Sequence, residues 1–140
     1  MKEITKQTFQ NTQNAPKEED VNVDKLVKFG ILEKEVEPIK GWKITMHTLT
    51  QEEKEKSNAL VPDEAIQNQM QFIEALKRPT LVYAITKINN DVFENEQQKG
   101  ALLEKLKQMQ GNAVDLIYVQ YQKLFIEQIE ILNEGLKKKS

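Results

Sequence analysis

The sequence predicts a mainly α protein: a compact helical domain of about five helices, with one N-terminal β-hairpin and an extended N-terminal arm. Apolar residues recur at three- and four-residue spacing from residue 63 to residue 136, which is typical of helices with one buried face. Apolar and polar residues alternate over residues 42–47, as in a half-buried strand. Polar residues dominate positions 1–25. We therefore predict an arm over residues 1–25 and a single helical domain over residues 26–140.

The predicted arm is rich in Gln, Asn, Lys and Glu and contains few apolar residues. Burial of so few side chains does not offset the ~1 to 2 kcal/mol per residue that backbone ordering costs, so we expect a flexible segment. Two interpretations stay open: a terminus without a role, or an arm that orders against a neighbouring subunit. In the second, the apolar residues of the arm are partner-binding anchors: Ile4, Phe9, Val21 and Val23.

A β-hairpin is predicted between about residues 30 and 49, with Gly41 in its turn because glycine accepts a positive φ. The second strand has an apolar side and a polar side, which consist of Trp42, Ile44 and Met46 and of Lys43, Thr45 and His47, respectively. Pro38 lacks an amide hydrogen and belongs on an edge. A lone hairpin is marginally stable, so we expect it to pack on helices or to pair with a strand of another chain. Phe29, Trp42 and the hairpin edge are therefore further partner-binding candidates.

A helix over residues 51–59 is predicted to begin at a capping box, in which the Thr50 hydroxyl accepts from a backbone amide of the first turn and the Glu53 carboxylate accepts from the backbone amide of Thr50 itself. Glu52 and Glu53 also suit the positive end of the helix dipole. We interpret these carboxylates as a helix-start device and expect no shifted pKa from them.

The remaining helices are predicted over residues 63–77, 79–89, 95–109 and 112–136. In the first, Pro62 and Asp63 restart the chain, and the expected core-facing stripe consists of Ile66, Met70, Ile73 or Phe72, and Leu76. Pro79 is expected at the first position of a short helix that is apolar nearly all round and lies at the centre of the fold. Asn89 and Asn90 are expected to end that helix, since asparagine tolerates the left-handed conformation. Asn95 or Glu96 is expected near the start of the next helix, and Gly111 is expected to end it.

The last predicted helix, capped by Asn112, carries apolar residues on more than one side. Its main stripe contains Val114, Ile117, Tyr118, Tyr121, Leu124, Phe125, Ile129 and Leu132. A second set lies off that stripe: Leu116, Val119, Ile126 and Ile131. Such a helix either runs through the middle of the domain or presents its extra face to another molecule, which makes Ile126 a partner-binding candidate.

Composition argues against several classes of function. The chain has no cysteine, one histidine, one arginine (Arg78) and a formal charge of -2, so neither a thiolate site nor a multi-histidine metal site can form. We expect His47 to be an exposed surface histidine. No apolar run approaches the ~20 residues of a membrane span, and no secretion signal, phosphate loop or nucleophile elbow is recognisable. We therefore expect a soluble, unexported, non-enzymatic protein without cofactor, metal, small-molecule substrate, direct nucleic acid binding or membrane binding.

Three sequence elements resemble the small proteins of tailed bacteriophages that act in the tail or baseplate. The junction from Gly41 to Glu53 has the pattern G-x-x-ϕ-x-ϕ-x-x-L-T-x-x-E, in which ϕ is apolar. Leu81 to Asn89 reads L-x-x-A-I-x-x-I-N, and Tyr121 to Leu124 reads Y-x-x-L. The match spans residues 29 to about 136, with Asn90 where the group usually has glycine and His47 where it usually has arginine.

The resemblance implies a virion structural protein, a tail assembly chaperone or a baseplate hub subunit, assembled in the host cytoplasm and placed in the tail or baseplate. Its partners would be tail tube, hub or baseplate subunits, and the group has no catalytic residues to carry over. An alternative of a different class stays open: a cytosolic helical adaptor or regulatory subunit of a cellular complex. Presence in mature virions at fixed stoichiometry distinguishes the two.

Overall fold

The computed structural model describes residues 30–139, with side chains through residue 134. The predicted arm and its anchors Ile4, Phe9, Val21 and Val23, together with Phe29, lie outside the described residues. The elements in chain order are β1 (Glu33–Ile39), β2 (Trp42–His47), α1 (Gln51–Ala59), α2 (Asp63–Ile66), α3 (Gln69–Ala84), β3 (Ile85–Ile88), β4 (Asp91–Val92), α4 (Glu96–Gln108) and α5 (Gly111–Lys139). Helices dominate this part of the chain, which confirms a mainly α protein.

The predicted hairpin is present as β1 and β2, which pair antiparallel with Val36 opposite Ile44. Gly41 has a φ of 87°, and its amide donates to Glu37 Oε2 at 2.9 Å, which closes the turn. Ile44 and Met46 are fully buried, whereas Trp42 is half-buried against the core. The alternation of β2 therefore places its apolar side as predicted.

The sheet has four strands within the described residues, in the order β1-β2-β3-β4, so the prediction of a single hairpin is wrong. β3 pairs antiparallel with β2, with Ile44 opposite Ile88. The predicted central helix over residues 79–89 fails for the same reason, because its second half forms β3. A short apolar run fits a buried strand as well as a helix, and the open amides and carbonyls of β2 favour the strand. β1 remains at an edge of the sheet, where Pro38 is compatible with its position.

The turn between β3 and β4 contains Asn89, which has a φ of 54°. The left-handed conformation predicted for the asparagine pair is thus confirmed at Asn89, although the turn joins two strands and does not end a helix. Asn89 also connects this turn to β2, since its Oδ1 accepts from the Lys43 amide at 3.0 Å.

Helix α3 runs through Pro79, so the predicted boundary at this proline is wrong. Proline within a helix removes one backbone hydrogen bond and costs about 3 kcal/mol. Leu81, Val82 and Ala84 follow in the same helix and are buried, and each fully buried aliphatic side chain of the size of leucine or valine contributes about 1.5–3 kcal/mol. Burial of this last turn outweighs the cost of the proline.

The predicted helix over residues 63–77 is divided into α2 and the first half of α3. Asn68 caps α3, and its Oδ1 accepts from the Gln71 amide at 3.1 Å. The predicted core-facing stripe is also wrong for this part of the chain, because Ile66, Met70 and Ile73 are 58%, 78% and 48% exposed. Only Phe72 and Leu76 are partly buried.

Helix α4 begins at a capping box formed by Asn95 and Gln98, and its Leu102 and Leu106 are fully buried. The single arginine of the chain is hydrogen-bonded to the C-terminal end of α4. Arg78 Nε donates to the Leu106 carbonyl at 2.9 Å, and its Nη2 donates to the Met109 carbonyl at 3.3 Å. The Leu106 carbonyl also accepts from the Met109 amide, so Arg78 adds a second donor there and supplies a donor to the Met109 carbonyl just beyond the end of α4.

Helix α5 begins at Gly111, one residue earlier than predicted. The Gln110 carbonyl accepts from the amides of Ala113 and Val114, so Asn112 is not its cap and Gly111 opens α5. The core side of α5 contains Val114, Ile117, Tyr121 and Leu124. No helix in the described part of the chain is long and apolar enough to cross a membrane.

Candidate partner-binding surfaces

The first surface of interest is the uncovered α3 stripe, which we define as Met70 and Ile73. These residues occupy positions i and i+3 of a helical stripe that reaches the buried Leu81 and Ala84 at positions i+11 and i+14. The same side of α3 is therefore core in its second half and exposed in its first half. Described residues leave most of Met70 and about half of Ile73 uncovered, since their exposed fractions are 78% and 48%.

A second exposed surface, the outer α5 stripe, consists of Leu116, Val119 and Ile126. Their exposed fractions are 53%, 41% and 55%. Val119 and Ile126 are seven residues apart and share a side of the helix, with Leu116 about one turn before them. Their exposure agrees with the prediction of an extra apolar face. Ile131, which was assigned to the same face, packs partly against the core instead.

Between α1, α3 and α5 lies a groove of about 450 Å³, which we call the α1–α3–α5 groove. Its apolar walls are Leu49, Leu76, Tyr118, Tyr121, Phe125 and Ile126. The rings of Tyr118 and Tyr121 stack with centroids 6.2 Å apart, and the Tyr121 hydroxyl accepts from the Leu49 amide at 3.4 Å. Burial raises the pKa of both phenols. The walls are thus held by contacts between α5 and the segment that precedes α1.

Two lysines lie beside the aromatic walls of the groove. Lys54 Nζ is 5.8 Å from the centroid of the Phe125 ring, and Lys77 Nζ is 5.9 Å from that of Tyr118. Lys77 also pairs with Glu74 and Asp115 at 2.9 and 3.0 Å, and these hydrogen bonds raise its pKa. Lys54 forms no ion pair with another described residue. The groove therefore combines an apolar interior with a positive charge at Lys54 that no described carboxylate neutralises.

His47 is buried, with 9% of its surface exposed, so the prediction of a surface histidine is wrong. Its Nε2 lies 3.0 Å from both carboxylate oxygens of Glu53. The strand alternation places this ring away from the Trp42 side, as predicted, but α1 covers it. A side chain on the polar side of a strand is exposed only where no other element packs over that side.

Glu53 takes part in the predicted capping box and in the contact with His47. Its Oε1 accepts from the Thr50 amide at 2.9 Å, while the Thr50 hydroxyl accepts from the Glu53 amide at 3.1 Å. Burial by itself raises the pKa of Glu53, but the hydrogen bonds with His47 and with the Thr50 amide outweigh it, and the pKa lies below its ordinary value. The expectation of an unshifted carboxylate is therefore wrong for Glu53, because the sequence does not indicate its contact with His47.

We expect Thr50→Ala to lower the free energy of unfolding by about 0.5–2 kcal/mol, because it removes the side-chain acceptor of the α1 cap. Thr50→Ser keeps a hydroxyl at the cap and is the control. Urea unfolding monitored by circular dichroism measures both variants. An alanine variant as stable as the serine variant would contradict a stabilising role for this cap.

Lys99 is a buried lysine that sequence reasoning did not identify, with 6% of its surface exposed. Its Nζ donates to the Ile85 carbonyl at 2.7 Å, and burial lowers its pKa against the attraction of Glu53, Glu94 and Glu96. The bond joins α4 to the start of β3. Lys99 lies three residues before the buried Leu102. Helical periodicity therefore places it on the buried side of α4, and this pattern could have predicted its burial from the sequence.

The structure brings together only part of the predicted site. Ile126 is 55% exposed and lies at the edge between the outer α5 stripe and the α1–α3–α5 groove. Trp42 packs partly against the core, with Lys105 Nζ 5.5 Å from its ring centroid, and it does not line the groove. Among the described residues, no three His, Asp or Glu side chains are placed to hold a metal ion.

Comparison of the chain with protein-family models, curated proteins and solved structures finds no match.

Proposed function

We propose that this chain is a non-enzymatic structural or assembly protein that binds neighbouring protein subunits, and that its assembly is a bacteriophage tail or baseplate. The uncovered α3 stripe is the observation that supports binding to neighbouring subunits. The resemblance to small tail and baseplate proteins is the reason for proposing a phage assembly. The outer α5 stripe, the β1 edge of the sheet and the arm supply further contact surfaces.

The uncovered α3 stripe supports binding because it continues the buried side of the same helix. Exposure of these apolar side chains to water is unfavourable, since burial of each methylene group stabilises a protein by about 0.8 kcal/mol. Exposed apolar patches of this kind mark interaction sites, and a helix of a partner is a suitable occupant because it can present its own apolar side. A neighbouring subunit that covers Met70 and Ile73 completes the core beyond its described end.

The residues of the phage-like pattern also support the proposal, because they build the surroundings of the groove. Leu49 and Tyr121 line it, while Thr50 and Glu53 begin α1, which forms one wall. Leu124 anchors α5 in the core. The pattern therefore maintains a surface geometry and requires no reactive group.

A role without catalysis is supported by the partners of two charged groups that are at least partly buried and have shifted pKa values, Glu53 and Lys99. Glu53 is occupied by the α1 cap and His47, and Lys99 donates to the Ile85 carbonyl. Neither group lines the groove. Both contribute to joining elements of the fold.

We expect Ile73→Glu to reduce incorporation of the chain into virions or tail intermediates by at least about tenfold, as for an interface residue whose loss costs more than 1.4 kcal/mol. The phage that encodes the chain is propagated with the gene deleted and each variant supplied from a plasmid. Mass spectrometry of purified particles then gives the ratio of the chain to tail subunits.

Gln71→Glu is the matched control, because it adds the same charge to an exposed position in the same half of α3. Equal incorporation of the two variants would show that the uncovered α3 stripe is not an interface. Absence of the unsubstituted chain from both virions and tail intermediates would overturn the phage proposal. Recovery of the chain in a complex of cellular proteins would instead support the adaptor alternative.

A further inference from the structure

The described chain enters the fold beside the α1–α3–α5 groove. Gln128 Nε2 on α5 donates to the Gly30 carbonyl, and Lys34 Nζ lies 3.6 Å from Glu127 Oε1. Gln128 is two residues beyond Ile126, a wall of the groove. The segment that precedes Gly30 therefore starts within about one helical turn of the groove.

The residues that follow Gly30 are hydrogen-bonded to the segment on the other side of the groove. The Leu32 amide donates to Thr48 Oγ1 at 3.0 Å, and the Thr48 amide donates to the Leu32 carbonyl at 2.9 Å. Leu49, the residue after Thr48, is also a groove wall. Residues 30–32 are thus held between α5 and the segment leading to α1, both of which line the groove.

We propose that residues 21–29 of the same chain occupy the α1–α3–α5 groove. This segment reads VNVDKLVKF, and five of its nine residues are apolar: Val21, Val23, Leu26, Val27 and Phe29. An extended segment of this length reaches about 30 Å, and the wall from Tyr118 to Ile126 is about 12 Å long, so the segment spans the groove even when it is not fully extended.

Residues 21–29 contain one carboxylate, Asp24, and two lysines, Lys25 and Lys28, so most of the acidic residues that complement Lys54 lie just before the segment. Lys54 beside Phe125 pairs with no carboxylate among the described residues, and the segment carries Asp24, with Glu18, Glu19 and Asp20 immediately before it. Occupation brings these carboxylates toward Lys54 while the apolar side chains cover the aromatic walls. The occupied groove covers Ile126 and leaves the uncovered α3 stripe, together with Leu116 and Val119 of the outer α5 stripe, for neighbouring subunits, and it ties the rest of the arm to the domain.

The absence of cysteine allows a direct test on the purified full-length chain. Ile126→Cys and Leu116→Cys introduce thiols on α5 at positions of nearly equal exposure, 55% and 53% in the described residues. Only Ile126 lines the groove. If the groove is open in about one molecule in ten, iodoacetamide modifies the thiol at position 126 about tenfold more slowly than the thiol at position 116.

Val23→Asp with Leu26→Asp, placed in the Ile126→Cys chain, should abolish this protection. Asn22→Asp with Lys25→Gln lowers the net charge by the same two units at polar positions, and it should leave the protection unchanged. Circular dichroism confirms that the helical domain stays folded in each variant. The Leu116→Cys thiol should react at one rate in all these backgrounds.

Equal reaction of the two thiols in the otherwise unsubstituted chain would overturn the proposal. Protection that disappears on dilution would also overturn it, since it would assign the occupant to a second copy of the chain. Because the measurement uses the isolated protein and leaves Met70 and Ile73 unchanged, its failure does not affect the proposed assembly function.

Discussion

Leu81→Ala is expected to lower the free energy of unfolding by about 2–5 kcal/mol. Leu81 is fully buried in the last turn of α3, where it belongs to the core cluster that joins the sheet to α4 and α5. Removal of three carbon atoms there loses transfer free energy and leaves a cavity that close-packed neighbours fill only in part. Urea or thermal unfolding followed by circular dichroism measures the change.

Met70→Ala is the matched control for Leu81→Ala, since both residues lie on the same stripe of the same helix. Met70 is 78% exposed, and we expect its replacement to change the free energy of unfolding by no more than about 0.5 kcal/mol in the isolated protein. Equal losses of unfolding free energy for Leu81→Ala and Met70→Ala would contradict the conclusion that only the second half of α3 is packed in the core.

Glu53→Ala is expected to destabilise the protein by about 1.5–3 kcal/mol, the range for hydrogen bonds to a charged group. The change removes the acceptor of the Thr50 amide and the partner of the buried His47 ring. Glu53→Gln is the control for the cap, because glutamine also serves in a capping box. A loss for Glu53→Gln well below that for Glu53→Ala would assign most of the effect to the cap.

The pH dependence of stability isolates the charge of Glu53. Because its folded pKa lies below the ordinary value of 4.5, the stability that the carboxylate contributes is complete above 4.5 and is lost as pH falls through the folded pKa. The difference in unfolding free energy between the unsubstituted chain and Glu53→Gln should therefore shrink from about pH 5.5 to about pH 3. A difference that stays constant over this range would contradict the lowered pKa.

Several elements were predictable because their signals are local. Thr50 and Glu53 begin α1 at the predicted residue, and Gly41 takes the positive φ that its turn requires. Such features depend on residues within about four positions of one another, so the order of residues in the chain specifies them directly. The extra apolar face of α5 was predictable in the same way, from helical periodicity.

The candidate surfaces were only partly predictable. Helical periodicity identified Met70 and Ile73 as an apolar stripe, but it could not indicate where along α3 the core ends. The α1–α3–α5 groove needs residues from three helices and from the segment before α1, and no local pattern brings them together. Ile126 was predicted as an exposed residue because it lies off the main stripe of its own helix, and Trp42, on the apolar side of β2, packs partly against the core.

By itself the sequence determined the mainly helical class, the β1–β2 hairpin and the caps at Thr50 and Asn95, since each arises from short-range geometry. Only the tertiary structure decided that α3 continues through Pro79, that Ile85–Ile88 form β3, and that α1 covers His47. In each case the local preference is worth a few kcal/mol at most. The burial of several side chains or the pairing of an open strand edge supplies as much or more, and these contacts join residues distant in the chain, such as Lys43 and Asn89.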